Sequence, residues 1–113
     1  MKHKMKLFPV GFYGIRDGKQ TIEVRLNDDK RQKIRIGDII EFALLPDLEE
    51  ICEVTVVDLL YYKSFLDLFD NISLVDWNAG DWTIEEAVMR CNSIYSKEDE
   101  AKYGALGIKI KII

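Results

Sequence analysis

The run Ile51-Cys52-Glu53-Val54-Thr55-Val56-Val57-Asp58-Leu59-Leu60-Tyr61-Tyr62 constrains the fold of this chain more than any other segment. It is long and rich in β-branched and aromatic residues, so it reads as a strand. Ile36-Gly37-Asp38 ahead of it is a turn into an earlier strand, Ile39–Leu44, which Pro46-Asp47 closes. A Gly-Asp turn, a strand and a hairpin into a long β-branched strand have the texture of a small antiparallel barrel.

The remaining elements alternate around this hairpin. Met5 to Phe8 reads as a short opening strand, and Pro9 suits the first turn of a helix whose apolar stripe is Val10, Phe12, Tyr13 and Ile15. Asp17-Gly18 stops that helix, strand Thr21 to Leu26 follows, and Lys30 to Arg35 holds a helical turn. Ser64, with Asp67 three residues on, is the N-cap of a helix ending near Ile72. Ser73 to Trp82 reads as a loop. Thr83-Ile84-Glu85-Glu86 is a capping box for a helix carrying Ala87, Val88, Cys91, Ile94 and Tyr95. A charged helix starts at Ser96 and ends at Tyr103-Gly104, and a last strand spans Ala105 to Ile113. The expected class is α+β: a small mixed β-barrel of about five or six strands, with helices at its ends, in one domain over residues 1–113.

Charge excludes one class of partner. There are 16 basic and 20 acidic residues, a net charge of −4, where a protein held on duplex DNA by charge needs a basic footprint. Basic character is local, at Lys2, His3, Lys4 and Lys6 and again from Lys30 to Arg35, and the latter run reads as a solvated face. No segment approaches the roughly 18 consecutive apolar residues of a membrane span, and the N-terminus lacks the apolar run of a signal peptide, so a cytoplasmic protein without membrane contact is expected. Cys52 and Cys91 are far apart and read as buried free thiols. The lone histidine, His3, lies near a terminus expected to fray, and neither a metal nor a cofactor is expected.

Function candidates cluster in Gly18 to Lys33. In Thr21-Ile22-Glu23-Val24-Arg25-Leu26 polar and apolar residues alternate at the period of a strand, so Thr21, Glu23 and Arg25 share one face. That face is either solvated or the polar floor of a cleft, where Arg25 can clamp a carboxylate, a phosphate or a base edge. Trp77 and Trp82 flank a glycine-containing acidic loop, as core lids or as a stacking platform for a flat ligand. Tyr61, Tyr62, Tyr95 and Tyr103 carry the same two readings. Phosphate-binding glycine loops, a nucleophile elbow and a histidine-based catalytic arrangement are absent.

The ordered set of Met5-Lys6-Leu7, Gly18-x-x-Thr21-x-Glu23-x-Arg25-Leu26, Asp29-Lys30-Arg31, Ile36-Gly37-Asp38-x-Ile40-x-Phe42, Ser64-Phe65-x-x-Leu68 and Tyr95-Ser96-x-Glu98-x-Glu100-x-x-Tyr103-Gly104 resembles the ASCH domain family of the PUA-like superfamily. The resemblance implies a β-barrel with helices packed at its ends. It also implies a cleft holding a Gly-x-Lys-Thr-x-Glu-x-Arg signature, and binding of RNA or nucleotide-like ligands. Some similar members are amidohydrolases of acylated cytidine that use a lysine, a threonine and a glutamate. Carried onto this chain, the signature falls on Thr21, Glu23 and Arg25, with Gln20 in the lysine position and Lys19 displaced by one. The amidohydrolase threonine falls where Glu23 stands. The implied ligand-binding set is Lys19, Gln20, Thr21, Glu23 and Arg25. Lys19 and Glu23 are the catalytic candidates for a metal-independent amidohydrolase, and Asp76, Asp81 and Glu85 are candidates for a further acid. Expected partners are RNA or a nucleotide-like small molecule. A third reading is a protein-interaction domain using the Trp77–Trp82 loop, with a protein partner.

Overall fold

The computed structural model describes all residues from Met1 to Ile113. Five strands and four helices alternate along the chain: β1 (Lys2–Leu7), α1 (Pro9–Arg16), β2 (Ile22–Leu26), β3 (Ile39–Leu44), β4 (Ile51–Tyr62), α2 (Phe65–Asn71), α3 (Ile84–Asn92), α4 (Lys97–Tyr103) and β5 (Ala105–Ile112). Two short 3-10 turns, Arg31–Lys33 and Leu74–Trp77, lie between them. The second falls inside the segment expected to be a loop, where the Ser73 hydroxyl accepts from the Val75 N–H. No helix is long and apolar enough to cross a membrane.

The strands form one sheet in the order β1-β3-β4-β5-β2. β1 runs parallel to β3, and the other neighbours are antiparallel, so the sheet is mixed rather than the antiparallel barrel that the hairpin alone suggests. A parallel pair needs a long connection. Here α1, β2 and the first 3-10 turn supply it. β1 and β2 are the two edges, so the sheet curls into a half-barrel with an open seam between them.

β4 serves two cores. Its register shifts between Val56 and Asp58, which leaves Val57 as the extra residue of a bulge. Before the bulge Cys52, Val54 and Val56 enter the core inside the half-barrel, with Phe42, Leu106 and Ile108. After it the parity changes: Leu59 continues that core, while Leu60 and Tyr62 pack on the opposite face with Phe65, Leu68 and Phe69 of α2. This second core lies between the sheet and α2 and α3, and it takes Ile22, Val24 and Leu26 of β2.

The first strand starts at Lys2, earlier than its apolar residues indicate, because β3 supplies partners from Ile39 onward. His3 is therefore buried rather than frayed. Its Nε2 lies 2.8 Å from Asp38 Oδ2, and the Arg35 N–H donates to the same oxygen at 2.9 Å. The bond to His3, then that to the Arg35 N–H, holds the Asp38 carboxyl down at about 2.

The caps stand where the sequence places them. Ser64 and Ser96 accept from the N–H groups of Asp67 and Asp99. Thr83 and Glu86 form a reciprocal capping box. Gly104, at φ +78, ends α4, and a Cβ there would stand 2.7 Å from the Tyr62 carbonyl oxygen, so glycine is required on both counts.

A candidate binding cleft at the barrel seam

β2 is an edge strand, and its two faces have different fates. Ile22, Val24 and Leu26 pack beneath the helices. Glu23 and Arg25 register opposite Ile108 and Leu106 of β5, which belong to the core inside the half-barrel. Their face is not solvated: Glu23 is 5% exposed, and the Arg25 side chain 13%.

Edge strands leave backbone groups without a ladder partner. Side chains satisfy them here. Gln20 Nε2 donates to the Ile22 carbonyl and to Glu23 Oε1, both at 3.1 Å. Glu23 Oε1 also accepts from the Val24 N–H at 3.3 Å. Arg25 Nε donates to Glu23 Oε2 at 2.8 Å, and its Nη2 crosses the seam to the Lys6 carbonyl of β1 at 3.0 Å. Lys30 Nζ makes a similar crossing to the Lys4 carbonyl at 2.9 Å. The seam is thus closed by side chains, with Arg25 as its central tie.

Burial lowers the pKa of the Arg25 guanidinium, but the Glu23 carboxylate and the Tyr95 hydroxyl outweigh it and leave it raised above the ordinary value. Both oxygens of Glu23 are engaged, so this carboxylate positions Arg25 rather than standing free. The rest of the arginine fork lies beside Tyr95 and a cavity of about 280 Å³.

Leu7, Phe8 and Val10, at the junction of β1 and α1, line one wall of this cavity. Trp77 and Trp82 line another, and Arg90, Cys91, Ile94 and Tyr95, from α3 and the turn after it, complete the lining. Trp77 rests on Phe69 with ring centroids 4.9 Å apart, and Trp82 meets it edge-on at 6.0 Å. Trp77 is thereby tied to the core, while Trp82 stays 40% exposed. Cys91 offers no activated thiol, since burial first, then the charges of Glu23 and Glu100, push it up to about 12.

Of the five expected ligand residues, the fold brings Gln20, Glu23 and Arg25 together at the cavity and leaves two outside. Lys19 is exposed in the turn after α1, where its N–H donates to the Gly14 carbonyl. Thr21 precedes the strand, with its N–H on the Asp76 carbonyl and its own carbonyl on the Ile110 N–H, and its side chain does not reach the cavity. Asp76, Asp81 and Glu85 do not line it either. Sequence reasoning missed Phe8, Arg90 and Asn78. Arg90 had a usable signal, because Arg90 and Ile94 stand at i and i+4 beside Cys91 and Tyr95.

A mixed half-barrel flanked by helices is the fold of ASCH structures, a PUA-like class of domain. The match to the ASCH domain profile covers residues 5–113, and the chain belongs to that family. Among solved structures it is similar to the crystal structure of the hypothetical protein PH0355, with TM-score 0.89, 34% identity and 100% of both chains covered. It is similar also to the solution structure of protein PF0455 from Pyrococcus furiosus, with TM-score 0.81, 31% identity, and 100% and 98% coverage. The crystal structure of ASCH from Zymomonas mobilis shares the fold at TM-score 0.58 and 12% identity, over 97% of this chain and 66% of that one. Among curated proteins none matches this chain.

Proposed function

We propose that this ASCH domain is a binding module for RNA or a nucleotide-like ligand, and that it takes one unpaired base into the seam cavity. The ASCH domain is a PUA-like family associated with RNA binding. One observation carries the reading for this chain: a buried arginine, oriented by Glu23, faces an aromatic-walled cavity of about 280 Å³, near the lower end of ligand pocket sizes. Single-stranded RNA is recognised through unstacked bases held on aromatic rings and read at their polar edges. Trp82 is the exposed ring for stacking, Arg25 the donor to a carbonyl edge, and Gln20 and Glu23 its supports.

The geometry favours binding over hydrolysis of an acylated cytidine. Lys19 stands outside the cavity, both Glu23 oxygens are occupied, and the one thiol in the lining is held protonated. Turnover of an acylated cytidine that Glu23→Gln abolishes would reverse this ranking.

Titration with nucleosides and short single-stranded RNAs, followed by tryptophan fluorescence and amide shifts, tests the binding reading. Quenching of Trp82 and shifts at Gln20, Glu23 and Arg25 are expected, with affinity falling roughly tenfold or more in Arg25→Ala. No shift at those residues with any ligand would overturn it.

A further inference from the structure

We propose that a second cleft, on the other side of Arg25, is a phosphate site, so that the ligand is a nucleotide or RNA segment whose phosphate sits there while its base occupies the aromatic cavity. The coupling of the two clefts rests on the binding reading above; the phosphate site itself does not. The second cleft has a volume of about 550 Å³ and gathers Lys4, Lys6, Arg25, Lys30 and Arg31 around it. Its one carboxylate, Glu41, is already engaged by Lys2 at 3.1 Å. In a chain of net charge −4, this concentration of cations is a strong local reversal.

Three features separate it from a solvated basic face. Lys4, Lys6 and Lys30 enter none of the fold's ion pairs, although acids outnumber bases in the chain. Lys30 is fixed in place by its bond to the Lys4 carbonyl; burial first, then the cations Arg31, Arg25 and Lys6, lower its pKa, and the nearby Asp28 carboxylate offsets only part of that. Arg31 gives Nη1 to Asp28 at 2.8 Å, while its Nε is buried and has no acceptor. A phosphate has the acceptors and the charge to engage lysine point charges together with an arginine fork.

Arg25 and Lys6 line both clefts. A ligand joining them passes over Arg25, with its base on the aromatic side and its phosphate among the lysines. This gives the 30–35 segment, which reads as solvated in the sequence, a role at its first two residues.

The test is titration of the full chain with uridine, uridine monophosphates and pyrophosphate, read by calorimetry and by amide shifts. The expected result is roughly tenfold tighter binding of a monophosphate than of uridine, with pyrophosphate alone moving the Lys30 and Arg31 amides. Lys30→Glu should bring the monophosphate down to the wild-type uridine value. Because Lys30 also ties β1, Lys4→Glu is the second variant, since the Lys4 side chain makes no contact that the fold depends on. Equal binding of uridine and its monophosphates, with Lys30 and Arg31 unmoved by pyrophosphate, overturns the phosphate site and leaves the base cavity standing. Pyrophosphate shifts at Lys30 and Arg31 without any nucleoside response at Trp82 support the phosphate site and remove the base reading instead.

Discussion

β2 and β5 lie side by side and carry the same kind of pattern, Ile-Glu-Val-Arg-Leu in one and Ile-Lys-Ile-Lys-Ile in the other. Their charges go to opposite places. In β5, Ile108 and Ile110 face the core of the half-barrel, while Lys109 and Lys111 reach solvent. In β2 the assignment is inverted: the apolar residues lie on the outer face beneath the helices, and Glu23 and Arg25 point inward. A period of two says which residues share a face, and the cover on each side decides which face is wet. β2 is an edge with helices over its outer face, so its inner face looks into the open seam. A cleft can form there because no backbone ladder fills it.

The largest effect should come from breaking the inward pair. Glu23→Ala leaves the Arg25 guanidinium in its buried position without its partner, and removing one member of a buried ion pair costs about 3–5 kcal/mol. The urea midpoint should fall accordingly at neutral pH. A loss below ~1 kcal/mol would mean that Arg25 reaches solvent and that the inward face is wet after all.

Gln20→Leu should come next. It removes the donor to the Ile22 carbonyl and to Glu23 Oε1 and leaves two buried acceptors short, a cost of about 1–3 kcal/mol. Gln20→Lys tests the family's signature residue at this position, and it should retain more stability than Gln20→Leu because an ammonium can serve the same acceptors. Equal losses in the two variants would show that the packing of Gln20, rather than its hydrogen bonds, supports β2.

Much of this architecture was legible. β3 and β4 run over the residues that their β-branched runs and turns predict, and each serine or threonine cap does what its spacing implies. Alternation puts Glu23 and Arg25 on one face of a strand, and both line the cavity, as do the two tryptophans that flank the polar loop. Burial on both sides of β2 was not legible, because a strand with one charged face normally shows that face to water. Nor was the far wall of the cleft. Val10 reads as part of the α1 core stripe with Phe12 and Ile15, yet only the latter two are buried, and Val10 is 77% exposed at the cavity rim. The helix has more apolar residues than its buried face uses. The burial of His3 is hidden for the converse reason: its neighbours are lysines, and the partner that buries it, Asp38, is 35 residues away.

β1 offers a further contrast, since its inward polar residue is held by a hydrogen bond to a carboxylate from another segment. The Asp38 carboxyl sits at about 2 in the folded chain, below its ordinary 3.8. A depressed folded value contributes stability above the unfolded value, and that contribution is lost as pH falls through the folded one. Wild-type stability should therefore decline between roughly pH 4 and pH 2, and Asp38→Asn should flatten that limb. Chemical denaturation of both proteins at pH 5, 3 and 2 reads the difference, and a gap that stays constant across the series would remove Asp38 from the acid response.

The smallest effect belongs to β5. Lys109 stands across from Ile22 on one side and Asp58 on the other, but it forms no ion pair with Asp58 and its side chain is exposed. Losing such a residue removes at most a weak cross-strand attraction, so Lys109→Ala should cost about 0.2–0.5 kcal/mol, within the range of ordinary surface substitutions. The same urea measurement that registers Glu23→Ala should barely move, and raising the salt should shrink even that change, because an exposed charge is screened over roughly 10 Å. A loss above ~1 kcal/mol at Lys109 would erase the distinction between the two strands, since the outer face of β5 would then hold its charges as firmly as the inner face of β2 holds Glu23 and Arg25.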